Sequence, residues 1–240
     1  MPAGLISGAP ARGFRTSLLS VTAAETASGV PGMGRGLKSP RKRPPGCGRM
    51  GARAAGAAFT GASTIKLGIL ATWLMRSQGD PTASPQWGAV QSMVRNSSND
   101  AANAVLTSIG GTPQAGGPIV TKTMRRLGAT RFDAAWGYLA GQDRAAKPPV
   151  RIDDQPVIKC CMVATAHDLG VIMQAIVQAA GNAGRARRLG MTPREARVAL
   201  WLLTHVSHPG LFAPWTPYVT AHKIGYIDVV WHDVAAVFEP

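Results

Sequence analysis

The run from Ile65 to Met75 constrains this chain more than any other stretch. Its eleven residues include two polar ones, Lys66 and Thr72, and apolar side chains recur on every side of the helix they predict. Such a helix needs cover all round, so it belongs at the centre of a folded block and not on its surface. It is too short to cross a bilayer. The chain of 240 residues is long enough to supply that cover as one medium domain. A hydrophobic content of 45% with 16% charged residues excludes a wholly disordered polymer and a fibrous repeat.

The formal net charge of +14 is unevenly spread. Residues 1–60 hold nine basic residues against one acid, Glu25, so more than half of the excess sits in a quarter of the chain. Residues 1–58 also hold eleven Gly and six Pro with a single aromatic, Phe14, and no helical or strand period. They read as a disordered basic leader, of a composition that out-of-frame translation of GC-rich DNA gives. The basic run from Lys38 to Arg43 has no interleaved aromatics, so nucleic-acid binding is not the expectation. No continuous apolar segment precedes a small-residue cleavage site, Ser17–Ala24 being the nearest approach, so the compartment is not readable.

From residue 59 the text becomes that of a folded domain, spanning 59–240. All six Trp lie here, and helix punctuation turns regular. Helices are predicted from Ser63 to Arg76 and near 85–95, 98–109, 114–127 and 131–140. Thr165-Ala166-His167-Asp168 reads as a capping box, with Gly181 as the stop. Thr192-Pro193-Arg194-Glu195 is a second box, with Pro at the first helical position. Tyr218 to Gly225 and Val229 to Phe238, rich in β-branched and aromatic residues, read as strands. The order is leader, helical block, then two strands.

Three short motifs carry chemistry. Ser63 and Lys66 stand three apart at the start of the buried helix, which places both side chains on one face. Desolvation and the helix N-terminus would lower the lysine pKa, and a neutral lysine is a general base for a serine nucleophile. The second motif is Ser97-Ser98-Asn99, continued by Asp100-Ala101-Ala102-Asn103 and Ile109-Gly110-Gly111. The third is His222-Lys223-Ile224-Gly225-Tyr226 at a strand end.

In this order the motifs resemble the S-x-x-K, S-D-N and K-T-G signatures of the penicillin-recognising serine hydrolases, the class A β-lactamases and penicillin-binding proteins. The resemblance covers about residues 57–240. It implies an α+β, β-lactamase/transpeptidase-like fold, a mainly helical subdomain against an antiparallel sheet. It further implies Ser63 as acylated nucleophile, Lys66 as its base partner and Ser97 as proton relay to the leaving nitrogen. Asn99, Lys223 and Gly225 would bind substrate, and the backbone N–H groups of Ser63 and Tyr226 would form the oxyanion hole. The implied partner is a small β-lactam or a cell-wall peptide, with no cofactor and no metal.

Departures from the signature matter as well. Ile224 replaces the hydroxyl residue that helps grip a substrate carboxylate, and Ser98 replaces Asp. The family's deacylating glutamate has no counterpart: the one glutamate between Asn99 and Lys223 is Glu195, which the capping box explains. No strand pair is predicted ahead of Ser63 and the chain stops soon after Phe238, so the sheet is expected to be incomplete, with about two strands, and the domain truncated at both ends. Three readings stay open: a β-lactamase-like hydrolase with impaired deacylation, a penicillin-binding relative that acylates only, and a non-catalytic remnant.

The remaining candidates read as structural. His205 and His208, like His222 and His232, lack acidic or Cys partners at ligand spacing. Asp153-Asp154 reads as a turn, Cys160-Cys161 as buried packing, and Trp201 and Trp215 as core.

Overall fold

A computed structural model describes the backbone of residues 15–24 and residues 55–77, 79–134, 137–138, 162–227 and 230–239. The fold is α+β, mostly helical with small antiparallel sheets, as the motif order implies. Strands β1 (Arg15–Ala24), β2 (Ala58–Thr60), β3 (Val163–Thr165), β4 (Val219–Ile227) and β5 (Val230–Glu239) accompany helices α1 (Lys66–Arg76), α2 (Trp87–Arg95), α3 (Asn99–Gly110), α4 (Pro113–Arg126), α5 (Ala166–Gly181), α6 (Ala183–Arg188) and α7 (Pro193–Thr204).

Helix α1 is buried from Lys66 to Leu74 and is packed by α2, α3, α4, α5 and α7. Its apolar residues face every direction, so no orientation at a surface would hide them all. The neighbouring helices start where short polar side chains replace missing backbone partners. Ser98 accepts from the Ala101 N–H at the start of α3, and Thr112 accepts from Ala115 ahead of α4. Both predicted capping boxes are formed, Thr165 with Asp168 and Thr192 with Glu195. Caps of this kind are each worth about 0.5–2 kcal/mol.

The larger sheet has the order β1-β5-β4, all antiparallel. Val234, Ala235, Ala236 and Val237 of β5 are all buried, so both faces of that strand are covered and it takes the central place. A small second sheet pairs Phe59 of β2 with Ala164 of β3. It fixes the chain immediately before Ser63.

Four expectations need correction. The leader reading over 1–58 does not hold at Arg15–Ala24, which forms β1 and pairs with β5 from Arg15↔Glu239 to Ala24↔Val230. Strands therefore do precede Ser63, and the main sheet has three strands where two were predicted. Its third strand depends on a partner more than 200 residues away, which no local pattern reports. The predicted helix at 131–140 is absent from its described residues. Asp133 instead exchanges backbone hydrogen bonds with Val163 at 2.8 and 2.9 Å, and Gly137 has φ +80°, outside the helical region. Trp201 packs against the core, but Trp215 does not: it is 86% exposed. The short helix α6 lacks a hydrophobic period and is not predicted. Asp153, Asp154, Cys160 and Cys161 lie outside the described residues, as does the leader beyond β1 up to residue 54.

Candidate active site

Three chain segments meet around the amine of Lys66. Ser63 lies in a 3₁₀ turn, Ala62–Ile65, wedged between β2 and α1. That turn is tied down by Gly61, whose N–H donates to Met162 at 2.7 Å and whose carbonyl accepts from Thr64 at 3.0 Å. Ser97 and Asn99 come from the junction of α2 and α3, and Lys223 from β4. Ser63 and Ser97 are half-buried and Asn99 is exposed, while Lys66 and Lys223 lie fully buried beneath them.

The amine of Lys66 donates to the Ser63 Oγ at 2.8 Å, the Ser97 carbonyl at 2.5 Å and the Asn99 Oδ1 at 2.7 Å, with the Ser97 Oγ at 3.4 Å. Two of these oxygens, the carbonyl and the amide oxygen, can only accept. A neutral amine therefore spends both N–H bonds on them and turns its lone pair to the Ser63 hydroxyl. Burial, reinforced by the charge of nearby Lys223, lowers the Lys66 pKa to about 6, so the neutral form dominates at pH 7. This is the arrangement a serine nucleophile needs.

Lys223 donates to the Ser97 Oγ at 2.9 Å and to the Ile224 carbonyl at 2.8 Å. Its burial pulls its pKa to about 7, against the opposing pull of Asp233. The Ser97 hydroxyl thus stands between two amines, within proton-transfer reach of Lys223 and 3.4 Å from Lys66.

Two features of the backbone mark the site. Among the described residues, the two non-glycine residues with positive φ are Ala62 at +43° and Ser97 at +57°. Strain of this kind persists only where surrounding contacts over-determine it, and both instances flank Lys66. Gly225 supplies the second feature. A Cβ on it would lie 2.6 Å from the Thr64 nitrogen and 2.8 Å from the Ser63 nitrogen. Only glycine lets β4 approach the Ser63 turn this closely.

Tyr138 was not among the predicted site residues. Its ring covers Lys66, with the amine 4.3 Å from the ring centroid, and its hydroxyl donates to the Ala62 carbonyl at 2.7 Å. Asn103 clamps its backbone: Oδ1 accepts from the Tyr138 N–H at 2.8 Å, and Nδ2 donates to the Tyr138 carbonyl. Burial raises the phenol well above its ordinary pKa, so it stays protonated. The available signal was Asn103, seven residues before Gly110 in the second motif, but nothing local names its partner.

Solved structures with this arrangement of elements include a β-lactamase from Sphaerobacter thermophilus, at 17% identity and TM-score 0.52 over 78% of this chain and 76% of that one. A β-lactamase from Streptosporangium roseum matches at 16% identity and TM-score 0.50, covering 78% and 77%. A halotolerant bacterial β-lactamase matches at 13% and 0.50, covering 77% and 78%. The chain has the β-lactamase fold. At these identities the likeness is one of fold; no family model and no curated protein matches the sequence.

Within this β-lactamase fold, the carboxylates described between α3 and β4 serve structure. Glu195 accepts from the Thr192 N–H at 2.6 Å in the α7 capping box, and Asp168 accepts from Thr165 in that of α5. Asp133 accepts from Thr121 and lies 3.9 Å from Arg125. Four of the five histidines make contacts within the fold. His205 caps α7 and stacks on Trp201, His208 accepts from the Gly210 N–H, His222 meets Asp233 at 3.3 Å, and His232 packs on Phe59. No group of three metal-ligating side chains occurs among the described residues, and no helix there is long and apolar enough to cross a membrane.

Proposed function

We propose that this protein is a β-lactamase-like serine hydrolase that forms an acyl-enzyme at Ser63 and releases it slowly. The observation that carries the reading is the amine of Lys66, 2.8 Å from the Ser63 Oγ and bonded to two acceptor-only oxygens, a placement that leaves the lone pair of the neutral amine for the Ser63 hydroxyl. Ser63 Oγ attacks the amide carbonyl while its proton passes to Lys66. The carbonyl oxygen gains the negative charge beside the N–H groups of Ser63 and Tyr226. Collapse breaks the C–N bond, and the leaving nitrogen takes a proton through the Ser97 hydroxyl. Asn99 and Lys223 orient the substrate, a β-lactam or a peptidoglycan-type amide.

Slow release follows from the surroundings of Lys66. Hydrolysis of the ester needs a base for water, and among the described residues the group packed against the Lys66 amine is the phenol of Tyr138, protonated and bonded to Ala62. Loss of a general base commonly costs about 10²- to 10⁴-fold. Ile224, lacking a hydroxyl, weakens capture of a carboxylate and raises the concentration of drug required.

Intact-mass spectrometry after incubation with benzylpenicillin tests the reading. A persistent adduct that disappears in Ser63→Ala supports it. A folded native protein left unmodified at saturating drug overturns it in favour of a non-catalytic relative.

A further inference from the structure

Helix α1 carries the candidate active site at one end and an open cleft at the other. Lys66 is its first residue and Arg76 its last, ten positions and about 15 Å further along the axis. The cleft, of about 520 Å³, lies between the end of α1, residues 80–86 and the last turn of α3. That volume falls in the range of small-molecule sites. Its lining includes none of Ser63, Lys66, Ser97, Asn99 and Lys223, so it is separate from the site around Lys66.

Most polar side chains around the cleft are already committed. Ser77 donates to the Leu74 carbonyl, Ser108 donates to that of Val105, and Ser84 accepts from the Gln86 N–H. The Asp80 carboxylate accepts from Thr82 and pairs with the Arg194 guanidinium at 2.6 Å, which matches its charge. Two side chains are left over, those of Arg76 and Gln86, and neither bonds to any described residue. Both offer N–H donors, and Arg76 gives the cleft a positive charge that nothing in its lining matches. The rest of the surface is apolar where it is deepest: Trp73 and Ile109, each 5% exposed, are core residues that reach the cleft.

We propose that this cleft is a second binding site, for a small carboxylate that carries an aromatic or other apolar body. The guanidinium fork of Arg76 matches the two carboxylate oxygens, and the Gln86 amide supplies a further donor. The body rests on Trp73 and Ile109 and leaves water there. An inorganic anion would leave that floor unused, and a neutral arene would leave the guanidinium unpaired, so charge and body belong to one ligand. The inference is independent of the reading of Ser63 as nucleophile.

Phenylacetate, its neutral isostere phenylacetamide, and acetate separate the charge from the body. Each is titrated into the full chain and followed by the backbone amide signals in nuclear magnetic resonance spectra. Phenylacetate should move the signals of Ser77, Ser84 and Ser108 and bind about ten-fold more tightly than either of the other two. Arg76→Gln changes an exposed side chain and should weaken phenylacetate about ten-fold, whereas Arg126→Gln, exposed on α4 outside the cleft, should leave it unchanged. Cleft signals that stay in place, or equal affinity for phenylacetate and either comparison compound, overturn the proposal. These readings use the native protein alone and so decide the matter even if a variant fails to fold. Phenylacetate binding that survives undiminished in folded Arg76→Gln also overturns it, and movement of the Ser97 and Lys223 signals would then put the carboxylate at the buried lysines.

Discussion

The amine of Lys66 lies 4.3 Å from the centroid of the Tyr138 ring and 2.8 Å from the Ser63 Oγ. The aromatic face favours the charged amine, whereas burial and Lys223 favour the neutral one. On the proposed mechanism, their balance sets the pH at which Ser63 becomes reactive.

Acylation should therefore rise with pH through about 6, as Lys66 loses its proton. Lys223→Gln removes a positive neighbour, so the Lys66 pKa should rise and the acidic limb should move to higher pH. The rate of adduct formation between pH 5 and 9 measures both. A limb that stays in place in Lys223→Gln contradicts the electrostatic coupling.

Tyr138 separates two contributions. Tyr138→Leu removes the aromatic face, and the acidic limb should move down by about half a unit to one unit. Tyr138→Phe keeps the ring and loses the bond to Ala62, so the limb should stay while stability falls by about 1 kcal/mol. Equal limb shifts in the two variants would count against the role of the ring.

Buried lysines tie stability to pH. The folded pKa values of Lys66 and Lys223, about 6 and about 7, lie below the ordinary lysine value. Between these and about pH 10 the unfolded chain binds more protons, so stability should rise with pH, at up to about 1.4 kcal/mol per unit for each lysine. Lys66→Met should flatten this slope, abolish acylation and stabilise the protein at pH 7 by about 1–2 kcal/mol, or about 2–8 °C in Tm. Denaturation at several pH values gives the slope directly.

Gly225→Ala places a methyl group against two backbone nitrogens that cannot rotate aside. Strand β4 must retreat from the Ser63 turn, and acylation should fall by at least about 10²-fold, the cost of a misplaced oxyanion donor. Circular dichroism should remain native, since β4 keeps its pairing with β5. A variant that acylates normally would show that the close approach is dispensable.

Much of this was legible in the sequence, and the kind of information that was legible is specific. Caps at Thr165 and Thr192, the buried character of Ile65–Met75 and the strands at β4 and β5 depend on residues a few positions apart. Spacing alone also placed Lys66 beside Ser63, because residues three apart share a helix face. Glu195 was readable as a cap for the same reason.

Meeting in space was a different matter. Ser97 and Lys223 are 126 residues apart, yet their side chains are 2.9 Å apart, and their encounter follows from β4 packing on the turn before α1 and α3 packing on α1 itself. Tyr138 sits in a stretch that reads as helix, and the clamp from Asn103 together with the bond to Ala62 holds it over Lys66. β1 has an unremarkable local pattern; what makes it a strand is the open edge of β5. Local backbone preferences amount to a few tenths of a kcal/mol per residue, whereas burial and pairing with a distant partner are worth several times that, so the sequence by itself determined the elements and their chemistry while tertiary packing decided which of them came together.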